Sequence, residues 1–375
     1  MADIDVSVLM PCYNVEDFLD QALGSAEDND RVSIEILAIN DGSKDGSLEI
    51  MRAHAARDPR VRVIDKPNEG YGTSMNRGLD EARGTYVAIL EPDDWVNPHM
   101  YDDLVEYART FDELPDVVKT PYTRIWMPGT DKERHFECSY IHRIDPGFQP
   151  FTLKDAPRLM QHHPSIWSAI YRRAFLDENG IRFKQVPGAG WVDNPFLVET
   201  LNSARSIAYL DRPYYNYRED LPNSSSVKRT TTLPIERWND MCDVMERLGV
   251  TDPGIWDSLA VIAFRYIGGL MDDGSIEEPE ILEGVRGIFA RLGRDRILHV
   301  PNISSSFKAY ALRLIGEPVP KISDSVYHRA LVDEFFYSMR TNGLGYALSR
   351  VKVFFARHGV FRNFIDPSKT RSAST

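Results

Sequence analysis

Cysteine is scarce. The 375 residues hold three, Cys12, Cys138 and Cys242, far apart and odd in number. Such a set makes neither a disulfide framework nor a zinc site, and a reducing cytoplasm fits it. Long hydrophobic runs are missing as well: no apolar stretch reaches the ~18–20 residues that span a bilayer. The start, Met1-Ala2-Asp3-Ile4-Asp5, has no basic region ahead of an apolar core, so no secretory leader is expected. The N-terminal half has no long basic run and the formal net charge is −12, which argues against general nucleic-acid binding. Two nucleotide fingerprints are also absent. No G-x-G-x-x-G follows the first expected strand, and no G-x-x-x-x-G-K-[ST] occurs anywhere. Neither NAD binding nor a P-loop is supported.

What is present is alternation. With 42% apolar and 27% charged residues the chain is globular in composition. Val6 to Met10 reads as a strand, closed by the turn Pro11-Cys12-Tyr13-Asn14. Asn14 and Asp17 have the N-cap/N3 spacing of a helix through Ala26, with Phe18, Ala22 and Leu23 inward. Ile34 to Ile39 is a second strand, ending in Asn40-Asp41-Gly42-Ser43, and a helix follows from Leu48 to Ala56. Val61 to Ile64 is a third, ending in a Gly-bearing turn, Lys66 to Gly72. A helix with Met75 and Leu79 then ends near Ala82, with Gly84 as its C′ residue. The fourth strand, Tyr86 to Leu90, runs into Glu91-Pro92-Asp93-Asp94-Trp95, and Asn97-Pro98 reads as the next helix start. Four strand–helix alternations predict a mainly parallel sheet with helices on both faces. The polar strand ends should line one edge, where open α/β sheets bind ligands. Carboxylates there suit Mg²⁺ or Mn²⁺.

Further on, 116–127 reads as strand, 128–150 as a long loop over the site, and Arg172 to Asn179 as a helix closed by Gly180. A Gly/Pro loop enters a helix at Asp193-Asn194-Pro195, and Ala208 to Tyr217 reads as another strand. Beyond Thr231 six apolar-periodic stretches predict a helical C-terminal region, followed by a polar, disordered tail at 366–375. Within 346–364, basic and apolar residues alternate as in a helix lying on an anionic membrane. The same pattern suits packing on its own domain or on a partner in a homodimer.

Taken in order, several pieces resemble the family 2 glycosyltransferases of GT-A fold. They are Val8 to Asn14, Asn40 to Ser47, Asn76-Arg77-Gly78, Glu91 to Trp95, Ile166 to Arg173, Trp191-Val192-Asp193 and Tyr214 to Arg218. The resemblance covers residues 4–230 and implies a catalytic domain over 1–230, with 231–365 as a separate helical region. It implies inverting transfer of a sugar from a nucleotide-diphosphate sugar, UDP first, to a hydroxyl of a glycan or lipid-linked acceptor. The setting would be surface polysaccharide or glycoconjugate synthesis, in the cytoplasm or on the inner face of the cell membrane. Pro11, Tyr13 and Asn14 would border the base, Asp41 would meet its edge, and Asn68, Gly70 and Tyr71 would flank base and ribose. Asn76, Glu91 and Asp94 join this donor-binding set. Asp93 would hold Mg²⁺ or Mn²⁺, and Asp193 would be the general base. Trp95 and Trp191 fall on the acceptor side. Two departures stand out: Glu91 takes the first place of the family's D-x-D, and Val192 stands where Glu is frequent. They leave open a catalytically silent nucleotide-sugar-binding or scaffold protein. A nucleotidyltransferase is the third reading.

Overall fold

The computed structural model describes residues 4–219 and 232–365, with side chains through residue 355. The serines at 224–226, Lys228, Arg229 and the polar tail lie outside the described residues. The chain divides into two compact units, Met1–Arg229 with Val244–Val250, and Thr230–Asp243 with Thr251–Thr375.

The first unit opens with the expected alternation: β1 (Val6–Cys12), α1 (Glu16–Glu27), β2 (Ile34–Asp41), α2 (Ser47–Arg57), β3 (Val61–Lys66), α3 (Tyr71–Glu81) and β4 (Tyr86–Ile89). Then come β5 (Trp95–Val96), α4 (Met100–Ala108), β6 (Val117–Lys119), β7 (Tyr122–Trp126), β8 (Arg134–Glu137), α5 (Arg158–Gln161), β9 (Ala169–Arg172), α6 (Arg173–Glu178), α7 (Asp193–Ser203), β10 (Ile207–Tyr209) and β11 (Tyr215–Arg218). Seven strands form one sheet in the order β10-β6-β9-β4-β1-β2-β3. β1 lies parallel to both β2 and β4, and only β9 runs against its neighbours. Every residue of β1 and β2 is buried, as a strand covered on both faces requires. The chain steps from β1 outward through β2 and β3, then returns to place β4 on the other side of β1. That reversal is a topological switch point, so the crevice beyond the ends of β1 and β4 is where a ligand fits.

Four local expectations differ. Asn14 does not cap α1: it has φ 53°, and its side-chain oxygen accepts from the Lys44 amide at 2.8 Å. The helix start is instead held from the next turn, where Ser47 Oγ accepts from the Val15 amide and Asp45 from the Glu16 amide. Leu19, rather than Phe18, is the fully buried residue of that helix's first turn. Asn97 does not open α4: His99 precedes it with φ 64°, and Asn97 Oδ1 accepts from Asn216 Nδ2 at 2.9 Å. Gly84 is no C′ residue in the left-handed region; a Cβ there would meet the Ser7 amide at 2.5 Å, so glycine serves close packing.

The larger difference is a second sheet, β5-β11-β7-β8. The expected strand at 208–217 is two strands in different sheets, split at Asp211-Arg212-Pro213. The expected loop at 128–150 contributes β8 and buries Cys138, Tyr140 and Ile141. Within the second unit lie α9 (Pro253–Asp272), α10 (Pro279–His299), α11 (Ser305–Leu314) and α12 (Ser325–Ile365); α8 (Leu233–Arg247) begins in it and ends in the first. Asp252 caps α9 by accepting from the Ile255 amide at 3.0 Å. α12 breaks at Gly343, φ 83°. Among the described residues no helix is long and apolar enough to cross a membrane.

Candidate active site

Three loops meet at the switch point. The first two are zipped together where Ser43 Oγ accepts from the Asn14 amide and Asn14 from the Lys44 amide. Pro11 is buried at the end of β1, while Tyr13 presents a ring that is 46% exposed, free to stack on a planar ligand. Asp41, buried at the end of β2, accepts from the amides of Glu69 and Gly70 at 2.9 Å each and from Lys66 Nζ. Burial works against its charge, but Lys66 and these amides outweigh it and hold the carboxyl below its usual range. Asp41 thereby fixes the turn that carries Asn68, Gly70 and Tyr71.

That turn faces the 185–188 loop across a cleft of about 360 Å³, lined in part by Asn68, Gly70, Thr73 and Gly188. Gly70 has φ 92°, and a Cβ on it would meet Val186 O at 2.7 Å; the backbone approach demands glycine. The Tyr71 amide donates to Gly188 O at 3.0 Å, tying α3 to the loop that leads to α7.

The acidic turn after β4 divides its carboxylates. Asp94 is buried and turned inward: it accepts from Tyr215 Oη at 2.9 Å and from the Arg218 amide at 2.7 Å. It binds the turn to β11, with each of its two oxygens engaged there. Glu91 and Asp93 are half-buried. Glu91 accepts from Tyr71 Oη at 2.6 Å. Burial, and then the charges of Asp93 and Asp193, push its pKa up to about 8, against the pull of that hydrogen bond. Burial also raises Asp93, against its own amide and the Arg218 charge. Asp193 is the first residue of α7, and burial lifts it to about 6, against the Asn194 amide and side chain. Tyr217 lies in the field of both Asp93 and Asp193, which with burial and Asp94 keep its hydroxyl protonated. Carboxylates a hundred residues apart in sequence therefore share one site.

Other expected residues stand differently. The Asn76 amide is engaged by the Phe183 backbone, donating to its carbonyl and accepting from its amide, both at 2.8 Å. It fixes the far loop and does not face the cleft. Trp95 lies 5.2 Å below the Arg218 guanidinium, which also covers Phe18 at 4.8 Å, so its ring is part of a cation–π sandwich. Trp191 is half-buried with φ 50° at the mouth of α7, and its carbonyl accepts from the Asn194 amide.

Four residues, Arg218, Trp167, Tyr215 and Tyr217, were not placed in the site by the sequence. Arg218 Nε donates to Asp93 O at 2.9 Å and brings a positive charge beside the acids. Trp167 lies parallel to both Tyr215, at 4.0 Å, and Tyr217, at 5.4 Å, making an aromatic wall. The Ile166–Arg173 and Tyr214–Arg218 stretches were the only signal, and it named no roles. One acidic cluster lies elsewhere: Asp30, His99 and Asp102. It precedes β2 and so sits on the opposite edge of the sheet. Asp102 already accepts from the amides of Arg31 and Val32 and contacts His99 Nδ1 at 2.8 Å.

Residues 7–180 match the model of glycosyl transferase family 2. Residues 7–180 thus carry the sequence pattern of that family. Glycosyltransferase EpsJ of Bacillus subtilis is 31% identical over 231 residues, covering 58% of this chain and 62% of that protein. Glycosyltransferase EpsH of the same organism is 28% identical, covering 60% of this chain and 63% of that protein. The chain thus spans about three-fifths of the length of these relatives. Among solved structures, S. aureus TarS 1–349 in complex with UDP-GlcNAc has a TM-score of 0.67 at 18% identity, covering 89% of this chain and 92% of that one. The GT-A fold read from the motifs is therefore the fold of this glycosyltransferase domain, with a helical region after it.

Proposed function

We propose that the chain moves a sugar from a nucleotide-diphosphate sugar to an acceptor hydroxyl with inversion, in surface polysaccharide or glycoconjugate synthesis. The catalytic domain is 1–230, and 231–365 serves the acceptor or the setting, on the cytoplasmic side. One observation carries this: Glu91 lies in the field of both Asp93 and Asp193, and Asp93 in that of Arg218. A surplus of hard carboxylate oxygens, raised in pKa by burial and at Glu91 also by its acidic neighbours, is a site built for added positive charge. Among the described residues no side chain hydrogen-bonds the Asp93 carboxylate, so its oxygens are open to Mg²⁺ or Mn²⁺, with Glu91 beside it. Such an ion supplies charge to a diphosphate leaving group. Tyr13 and the Asn68–Tyr71 turn hold the nucleoside. Asp193 removes the proton of the acceptor hydroxyl as its oxygen attacks the anomeric carbon and the nucleoside diphosphate leaves. UDP heads the candidates because TarS was solved with UDP-GlcNAc.

The test is a thermal-shift panel of nucleoside diphosphates with Mn²⁺, followed by hydrolysis of the sugar nucleotide that binds. The correct nucleotide raises the melting point by mass action, about 2.7 kcal/mol at a hundred times Kd. Slow hydrolysis that stops in EDTA supports transfer; binding without hydrolysis points to the silent, scaffolding reading. Pyrophosphate released from a sugar phosphate and a nucleoside triphosphate would replace both with nucleotidyl transfer.

A further inference from the structure

The apolar surface of the molecule is unevenly placed. Of thirteen large hydrophobic side chains exposed among the described residues, eight fall between Val319 and Phe355. The other five, Tyr13, Leu114, Trp126, Phe148 and Leu248, are far apart in the sequence. After the break at Gly343, α12 presents Leu344, Leu348, Val353 and Phe355, exposed by 55%, 48%, 46% and 67%. At 100° per residue Leu344, Leu348 and Phe355 lie within about 40° of arc, and Val353 lies on the other side. Ala347 is buried, so the covered side of the helix is a different one.

Charge is uneven too. The whole chain carries −12, yet residues 335–375 hold seven Lys or Arg and a single acid, Asp366. Lys352 is exposed about 40° around the helix from the edge of this stripe, and Arg350 is exposed on the far side. Among the described residues neither forms an ion pair. We propose that this last segment of α12 lies in the interface of an anionic lipid bilayer, with Leu344, Leu348 and Phe355 inserted and Lys352 at the headgroups. Apolar side chains flanked by cations on a helix too polar to span are the chemistry of that surface. A second copy of the chain suits it less well. Pairing α12 with itself would bring like charges together, and outside 319–355 the exposed hydrophobics are isolated in sequence.

The test floats the full chain with phosphatidylglycerol-containing vesicles and with pure phosphatidylcholine, at low and high salt. The chain floats with the anionic vesicles only and is released by salt. The Lys352→Gln variant partitions about 5-fold more weakly, at the usual worth of one basic residue near such a surface. Leu348→Ser/Phe355→Ser also loses flotation and keeps the parent melting point, since both side chains are solvent-exposed. No flotation of the parent, or equal flotation of both variants, overturns the proposal. A dimer in sedimentation that Leu348→Ser/Phe355→Ser converts to monomer, with no flotation, assigns the face to a second copy.

Discussion

At the residue scale, two carboxylates in one crevice are set to different tasks. Asp193, with its pKa lifted to about 6, is an effective base just above that pH. Its raised pKa means that acid removes the working form. We expect kcat/KM to fall tenfold per unit below about pH 6; a flat profile from pH 5 to 8 would exclude Asp193 as the base. Asp193→Asn should lower kcat by about 10²–10⁴, the usual share of a general base. Glu91, near 8, is largely protonated at neutral pH when no cation is bound. A folded pKa above the unfolded value of an acid means that the fold loses stability as pH rises from about 4.5 to 8. Glu91→Gln should therefore stabilise the metal-free enzyme by about 1–3 kcal/mol at pH 8, and much less at pH 4. Melting curves at both pH values decide it. The same variant should bind donor more weakly, as site residues trade stability for function.

At the element scale, the 68–71 turn and the loop before Asp193 are joined through α3. Gly72 sits where a Cβ would meet Lys184 O at 2.1 Å, and Gly70 backs against Val186 O. The first turn of α3 is thus pressed against the loop that delivers Asp193. Gly72→Ala should push that loop away, costing about 1–3 kcal/mol of stability. A displacement on the order of 1 Å at the base should lower kcat about 10²-fold. Unchanged kcat would show that the loop sets itself independently of α3. This coupling is also the measure of what the sequence could reveal. The β1–β4 alternation was legible because apolar strands alternate with helices of eleven or twelve residues, long enough to show their period. The acidic turn and Asp193 were legible as motifs. The second sheet was not: its four strands are two to five residues long and come from 95–96, 122–126, 134–137 and 215–218. No local pattern tells that Asp94 turns inward to Tyr215 while Asp93, one residue earlier, turns out. Asn14 and Asn97 carried correct N-cap chemistry, but a nearer partner took each side chain.

At the scale of the whole molecule, the change of texture near Thr231 marks composition, and the packing draws a different line. Residues 244–250 belong to the first unit although 230–243 belong to the second. Val244 and Met245 are buried, and Arg247 Nη2 reaches Glu199 of α7 at 2.7 Å. The end of α8 therefore braces the helix whose first residue is Asp193. A fragment ending at residue 229 loses that brace, and one ending at 250 keeps it. Burying two such side chains is worth about 3–6 kcal/mol as an upper bound. At roughly 2–4 °C per kcal/mol, the shorter fragment should melt on the order of 10 °C below the longer one. The exposed Arg247–Glu199 pair adds little to that difference, since ion pairs of this kind are worth at most about 1 kcal/mol. Its effect should instead appear as loosened hold on α7. The longer fragment should keep the stabilisation by its nucleoside diphosphate that the full chain shows, and the shorter should lose part of it. Equal melting points for the two fragments would mean that the return of 244–250 contributes nothing, and that the domain ends where the composition changes.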